Sequence, residues 1–438
     1  MRGHRRIAVA APGALAVLLG ACEGRIARAL DPATPREQYA EALRGAGLAG
    51  MGLFRRWTEA GDAALNAAPL LETPFEESGY LAPEQPDARA FRFAVRRGQR
   101  VTATFSLAGI QAGSLFADLF QLQDSAAPRR LESADSGAAT LEAEIRRDGE
   151  VVLRLQPELL SGGRYQVRVH LSPTLGFPVG GAAQEAVRSR FGAQRDAGRR
   201  THEGIDIFAP RGTPVLAAEA GVATWVGENR LGGTVIMIRD RERGEGHYYA
   251  HLDAQLVREG EPVARGDTIG LVGNTGNART TPPHLHFGIY ARGAVDPWPY
   301  VAAPDTLPPP VVVRDSAYGE WIRAARGGAP LAAAPGGDTL RTLEALTVAR
   351  VIGGSGAWYR VRLPDGTEGY LPERRAERPT SLGQAMPTDS LREVPSPAGA
   401  VIASIGTEEK AERVGRFGEF DLVRLDGGTT GWVRRRSP

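Results

Sequence analysis

This sequence is short of several things that usually announce chemistry. It has one cysteine, Cys22, so no disulfide can form within the chain. It has one lysine, Lys410, and its other basic residues are arginines scattered along the chain rather than clustered. Net charge is only +2, so no field of one sign points to nucleic acid. No apolar run is long enough to span a bilayer comfortably; the run from Ile7 to Leu19 falls short. Histidine is scarce as well, with seven in 438 residues. What remains is ordinary for globular domains, 42% hydrophobic and 24% charged, in a chain long enough for several of them.

The first 22 residues read as an export signal. Arg2, His4, Arg5 and Arg6 give a basic start, the apolar run follows, and small Gly20 and Ala21 precede Cys22. Leu19-Gly20-Ala21-Cys22 resembles a bacterial lipobox. That resemblance implies cleavage before Cys22 and lipidation of its thiol and new amino terminus. Glu23, not aspartate, comes next. The expectation is an exported protein, lipid-anchored in the cell envelope, in the periplasm and at the outer membrane where two membranes exist.

Residues 23–78 read as a short helical segment. Thr34-Pro35-Arg36-Glu37 is a helix start, with Thr34 as cap, Pro35 in the first turn and Glu37 reaching back. Residues 79–175 switch to period two: Phe91, Phe93 and Val95, then Val101, Ala103 and Phe105, then Tyr165, Val167 and Val169. Short strands with turn residues between them predict an antiparallel β-sandwich. His170 takes the outward parity and reads as a solvent-facing residue. Residues 305–315 contain Pro308-Pro309-Pro310 and read as a stiff linker. Beyond it lies a repeat at an offset of 62 residues: "WYRVRLPDGTEGYL" from Trp358 and "FDLVRLDGGTTGWV" from Phe420. Each copy resembles the final hairpin of a bacterial SH3 domain, which predicts two small β-barrels at 316–376 and 377–438. Such modules often bind cell wall; Tyr370 and Trp432 read first as hairpin core. The fold class is therefore mainly β and multi-domain, with 176–304 as its central domain.

That central domain holds five of the seven histidines. In "TPPHLHFGIY", His284 and His286 share one strand parity while Leu285, Phe287 and Ile289 share the other. In "THEGIDIFAPRGTPV", His202, Gly204 and Asp206 share a face, and Ile205 and Ile207 point the other way. Between them stands "GHYYAHLDAQL" with His247 and His251. His247 shares parity with Tyr249 and His251 and reads as an exposed strand residue. Glu203 lies on the wrong face for a ligand.

Residues 186–290 resemble the catalytic domain of the lysostaphin-like, or LytM-type, zinc endopeptidases. The matching stretches are "SRFG" at 189–192, H-x-G-x-D at 202–206, "GTPV" at 212–215, "YAHL" at 249–252, "GLVGNTG" at 270–276 and "PHLHF" at 283–287. The resemblance implies a two-layer antiparallel β domain with an open groove. It also implies that His202, Asp206 and His286 hold one Zn²⁺ and that His251 and His284 act on the substrate. Two imidazoles and a carboxylate suit zinc and leave a fourth position for water. The expected function is hydrolysis of peptide cross-links in bacterial peptidoglycan. Two other readings stand beside it. Some relatives have lost zinc ligands and activate other wall hydrolases, but here every ligand position is filled. "VREGEPVARGDTIGLVG" resembles a lipoyl- or biotinyl-carrier hairpin, but such carriers need a lysine and Lys410 is far away.

Overall fold

The computed structural model describes residues 32–109, 113–124, 126–385, 390–406 and 409–435. Cys22 and the signal expected before it lie outside the described residues. No helix among the described residues is long and apolar enough to cross a membrane.

The chain opens with two helices, Pro35–Gly45 and Gly52–Asn66. The first starts where the sequence places it. Thr34 Oγ1 accepts from the Glu37 amide, and Glu37 Oε2 accepts from the Thr34 amide at 2.8 Å. Trp57, on the second helix, is buried and donates Nε1–H to the Pro157 carbonyl at 2.8 Å. The two helices pack on each other and on a strand through one apolar cluster, Ala40 of the first helix with Phe54 and Trp57 of the second and Phe116 of Leu115–Gln123.

Strands Arg89–Val95, Gly149–Pro157, Leu115–Gln123 and Ala126–Ser133 form one sheet in that order. Phe75–Leu81, Gly163–Pro173, Gln99–Ala108 and Thr140–Glu144 run consecutively in another. Phe91, Phe93, Val101, Phe105, Leu119, Leu153, Tyr165 and Val167, from both sheets, share one apolar cluster. Their period-two spacing puts them on inward faces, and each fully buried large side chain contributes roughly 1.5–3 kcal/mol. His170 takes the outward parity, partly exposed.

The second sheet does not end at Phe75–Leu81. That strand also pairs antiparallel with Val348–Ser355, Ser78 opposite Gly354 and Gly79 opposite Gly353. The sheet then continues through Trp358–Arg362, Glu368–Pro372, Ala329–Ala332 and Thr339–Leu343, and Trp321–Ala324 with Ala376–Glu377, off this path, brings it to eleven strands. Residues of the first expected barrel thus extend a sheet that begins near residue 75. Tyr370 is fully buried in the cluster of the earlier sheets, and its hydroxyl donates to Glu77 Oε2 at 2.7 Å. The second repeat forms a separate five-stranded sheet in which Trp432 is buried. All of these sheets are open at their ends, and no closed barrel occurs among the described residues.

The central domain is a ten-stranded antiparallel sheet system. Its main path runs Pro262–Val263, Gly221–Asn229, Gly233–Asp240, Glu245–Gln255, His284–Tyr290, Ile205–Phe208, Val187–Ser189. Ile205, Ile207, Leu285, Phe287, Ile289, Ile236 and Tyr249 fill its core. These include the apolar-parity residues of both histidine-bearing stretches, so burying them turns the opposite parity outward as a set.

Candidate metal centre

Two neighbouring strands place the first three side chains. In the pairing of Ile205–Phe208 with His284–Tyr290, Asp206 lies directly opposite His286, and Phe208 opposite His284. Cross-strand partners have their Cβ atoms ~5 Å apart, so the carboxylate and imidazole meet without special effort. His202 arrives from the turn before the strand. His202 Nε2 lies 3.0 Å from Asp206 Oδ1 and 3.0 Å from His286 Nδ1, and His286 Nδ1 lies 3.1 Å from Asp206 Oδ1. Gly204 sits between His202 and Asp206 in sequence. A Cβ there would meet His286 Cε1 at 2.7 Å and the Phe287 carbonyl at 2.5 Å, so only glycine fits.

His251 arrives by a different route. It occupies the left-handed region with φ +64°, uncommon for a residue with a Cβ. Thr234 pairs with Leu252 and Ile236 with Tyr249, so Ala250 and His251 together face the single residue Val235. This β-bulge breaks the alternation and costs on the order of 1–3 kcal/mol. Before it, His247 and Tyr249 face the core while Tyr248 and Ala250 face the groove. At the bulge His251 joins the groove, its ring 5.0 Å from that of His284 and 5.9 Å from that of His286.

Hydrogen bonds to backbone carbonyls set three of the tautomers. His202 Nδ1–H donates to the Arg190 carbonyl at 2.9 Å, His251 Nδ1–H to Thr275 at 3.0 Å and His284 Nδ1–H to Pro282 at 2.9 Å. A carbonyl only accepts, so each ring keeps its lone pair on Nε2. Neutral His202 therefore turns an acceptor nitrogen toward an acceptor carboxylate oxygen at 3.0 Å. A cation between them relieves that opposition. The three donor atoms are spaced close to the ~3.3 Å edge of a tetrahedron with bonds of about 2.0 Å. His202, Asp206 and His286 are also the cluster whose ligand atoms all lie within 4.8 Å of one another. The donor set and its spacing fit zinc.

Electrostatics around the cluster favour the ligating forms. Burial works to raise the Asp206 pKa, but the imidazoles of His202 and His286 against it outweigh burial and hold the carboxyl well below the usual range. Burial lowers His286. Burial, followed by the neighbouring His284 and His286, brings His251 down to about 4.

The structure adds partners that the sequence did not reveal. Arg195 donates to Asp206 Oδ2 at 2.6 Å and to Ser189 Oγ at 2.6 Å, leaving Asp206 Oδ1 for the histidines. Ser189 Oγ is also 3.2 Å from His202 Nδ1. Tyr248, with Trp225 and Tyr290 each within 6.5 Å of it, forms an aromatic wall beside His286. "SRFG" marks Ser189, but nothing in the spacing of Arg195 signals its aim at Asp206. One expectation needs correcting. His247 is not exposed: it is fully buried against Phe287, and neither ring nitrogen has a hydrogen-bond partner among the described residues. The bulge at His251 is the reason, because counting parity back from 251 assigns 247 to the wrong face. Tyr249 is likewise core, its hydroxyl accepting from the Ala218 amide at 2.9 Å.

Residues 200–297 match the model of peptidase family M23. That segment, rather than the chain as a whole, is similar to the M23 peptidases. The L-Ala–D-Glu endopeptidase of Bacillus subtilis (strain 168) is 40% identical over 140 residues, 29% of this chain and 43% of the relative. The DD-carboxypeptidase/endopeptidase Mpg of Neisseria meningitidis serogroup B is 48% identical over 94 residues, 22% of this chain and 21% of the relative. The chain thus spans less than half the length of these curated relatives. Among solved structures, the catalytic domain of lysostaphin from Staphylococcus simulans is 30% identical, with a TM-score of 0.25, covering 27% of this chain and 96% of that domain. All five expected site residues are together in the M23 segment; His247 is not among them.

Proposed function

We propose that the M23 segment is a zinc-dependent endopeptidase that hydrolyses peptide cross-links of bacterial peptidoglycan. The observation that carries this reading is the meeting of His202, Asp206 and His286 at 3.0–3.1 Å, with His251 and His284 beside them. The names of the two bacterial relatives, both endopeptidases, support the substrate class. His202 Nε2, Asp206 Oδ1 and His286 Nδ1 would hold one zinc ion. When bound, the ion supplies Lewis acidity toward a peptide carbonyl and acidifies water.

The remaining chemistry belongs to the chain. His251 and His284, each held by a carbonyl on Nδ1, direct Nε2 lone pairs into the space beside the ligands. There one imidazole takes the proton of the attacking water. The resulting imidazolium offers an N–H to the developing oxyanion and passes a proton to the leaving amine. The wall of Trp225, Tyr248 and Tyr290 borders the peptide. Arg195 fixes Asp206 so that Oδ1 points at the ligand cluster. Lipidation at Cys22, and contact of the C-terminal sheets with the wall, belong to the same proposal and would bring the groove to its substrate.

Digestion of purified peptidoglycan with and without a chelator, products identified by mass, tests it. The expected result is release of peptides that the chelator abolishes and zinc restores. Absence of any new product at saturating zinc would leave a non-hydrolytic regulator as the better reading.

A further inference from the structure

The seam between the N-terminal sheets and the M23 segment contains a second concentration of charge, away from the histidines. A cleft of about 500 Å³ is lined by Arg97, Arg147, Arg239, Arg243, Arg292, Gly244 and Ala291. Arg97 and Arg147 belong to the N-terminal sheets; the others end two hairpins of the M23 segment. No acidic residue among the described residues lines the cleft.

Two of the arginines are anchored from behind. Arg97 donates to Glu245 at 2.7 Å, and Arg243 donates to Glu144 at 2.6 Å, Asp240 at 2.9 Å and Glu219 at 3.3 Å. The pairs with Glu245 and Glu144 join the two parts of the chain, and all four hold the guanidiniums in place. Yet the Nε–H groups of Arg97 and Arg243 are buried and unpartnered, and the Arg243 side chain is only 8% exposed. Arg147, Arg239 and Arg292 are exposed and have no ion pair among the described residues. Five guanidiniums therefore share one cleft, three lack a counter-charge, and two keep idle donors. Like charges gathered this way repel unless an anion joins them.

We infer that this cleft is a binding site for a phosphate-bearing ligand. A lone carboxylate brings one charge and two oxygens. A phosphate ester brings up to two charges and three acceptor oxygens, which match forked guanidinium donors. The volume lies within the range of small-ligand sites and exceeds what one free ion needs. Because the lining comes from both parts of the chain, a bound phosphate also ties the M23 segment to the N-terminal sheets.

Titration calorimetry of the whole chain with inorganic pyrophosphate, at fixed ionic strength in sodium chloride, tests the site. It reads binding rather than hydrolysis, and pyrophosphate held by a zinc ion at the histidines would not respond to changes in the cleft, so the comparison of variants is independent of the peptidase reading. The expected Kd is below ~1 mM, weakened at least about tenfold in R147Q/R292Q and unchanged in R55Q/R56Q. R55Q/R56Q removes the same charge from exposed positions on the second helix, and an unchanged thermal midpoint confirms that both double variants are folded. Equal affinity in wild type and R147Q/R292Q, or no heat above dilution, overturns the inference. Comparing glycerol 3-phosphate with monomeric dihexanoyl phosphatidic acid then names the source. Equal affinities point to a soluble phosphate ester; at least tenfold tighter binding of the lipid points to a lipid headgroup.

Discussion

Arg195 and His247 are the residues at which single substitutions say most. Arg195 spends its guanidinium on Asp206 Oδ2 and Ser189. Replacing it with Gln frees the carboxylate to turn, and zinc affinity should fall about 10–100-fold with turnover at saturating zinc largely kept. Competition with a chromophoric chelator measures this; unchanged affinity would show that Asp206 needs no such support. His247 is fully buried with both nitrogens unpartnered among the described residues, and burial lowers its pKa. The unfolded imidazole, near pKa 6.5, binds protons more readily, so the folded state is favoured above that pH and loses ground as pH falls through it. His247→Leu should therefore raise stability by about 1 kcal/mol near pH 7 and flatten the acid-side decline, read by urea unfolding at several pH values. At this scale the sequence was legible wherever alternation held. Asp206, His284 and His286 sit on uninterrupted strands, and their parity gave their faces. His247 was misread because one left-handed residue, His251, shifts the alternation, and a bulge leaves no mark in residue type when glycine is absent.

Individual elements follow local signals closely. The Thr34–Glu37 capping box starts the first helix where its residues stand, and Thr34→Ala should cost about 1 kcal/mol by thermal or urea unfolding. Pairing between distant elements is another matter. Strand Phe75–Leu81 joins Val348–Ser355, more than 250 residues later, through Gly79. A Cβ at Gly79 would lie 2.4 Å from the Ile352 carbonyl and 2.6 Å from the Tyr165 ring. Gly79→Val should thus destabilise the protein by at least ~2 kcal/mol, with a lowered urea midpoint as the readout. Nothing in the local pattern of "FEESGYL" names its partner. Both hairpin repeats were visible from their turns and aromatics, but which sheet each would join depends on contacts that no short window contains.

The whole molecule is tied together more firmly than a proline-rich linker suggests. Asp305 and Leu171 bond both ways at 2.9 Å, Val312 donates to Gly356, and Glu77 accepts from Tyr165, Arg360 and Tyr370 across the sheet junction. A protease site inserted beside the exposed Leu307 should give two fragments that still co-elute on size exclusion; separation in native buffer would contradict the shared sheet. Such a frame holds the M23 segment and its five convergent side chains in one arrangement. The central claim is that those side chains divide into three that hold metal and two that act on substrate. Zinc content by mass spectrometry, measured beside peptidoglycan hydrolysis on wild type, His286→Ala and His284→Ala, tests that division directly. The account predicts one zinc and activity in the wild type, neither in His286→Ala, and one zinc with activity reduced ~10²–10⁴-fold in His284→Ala. Full zinc occupancy in His286→Ala, or undiminished hydrolysis in His284→Ala, would contradict it.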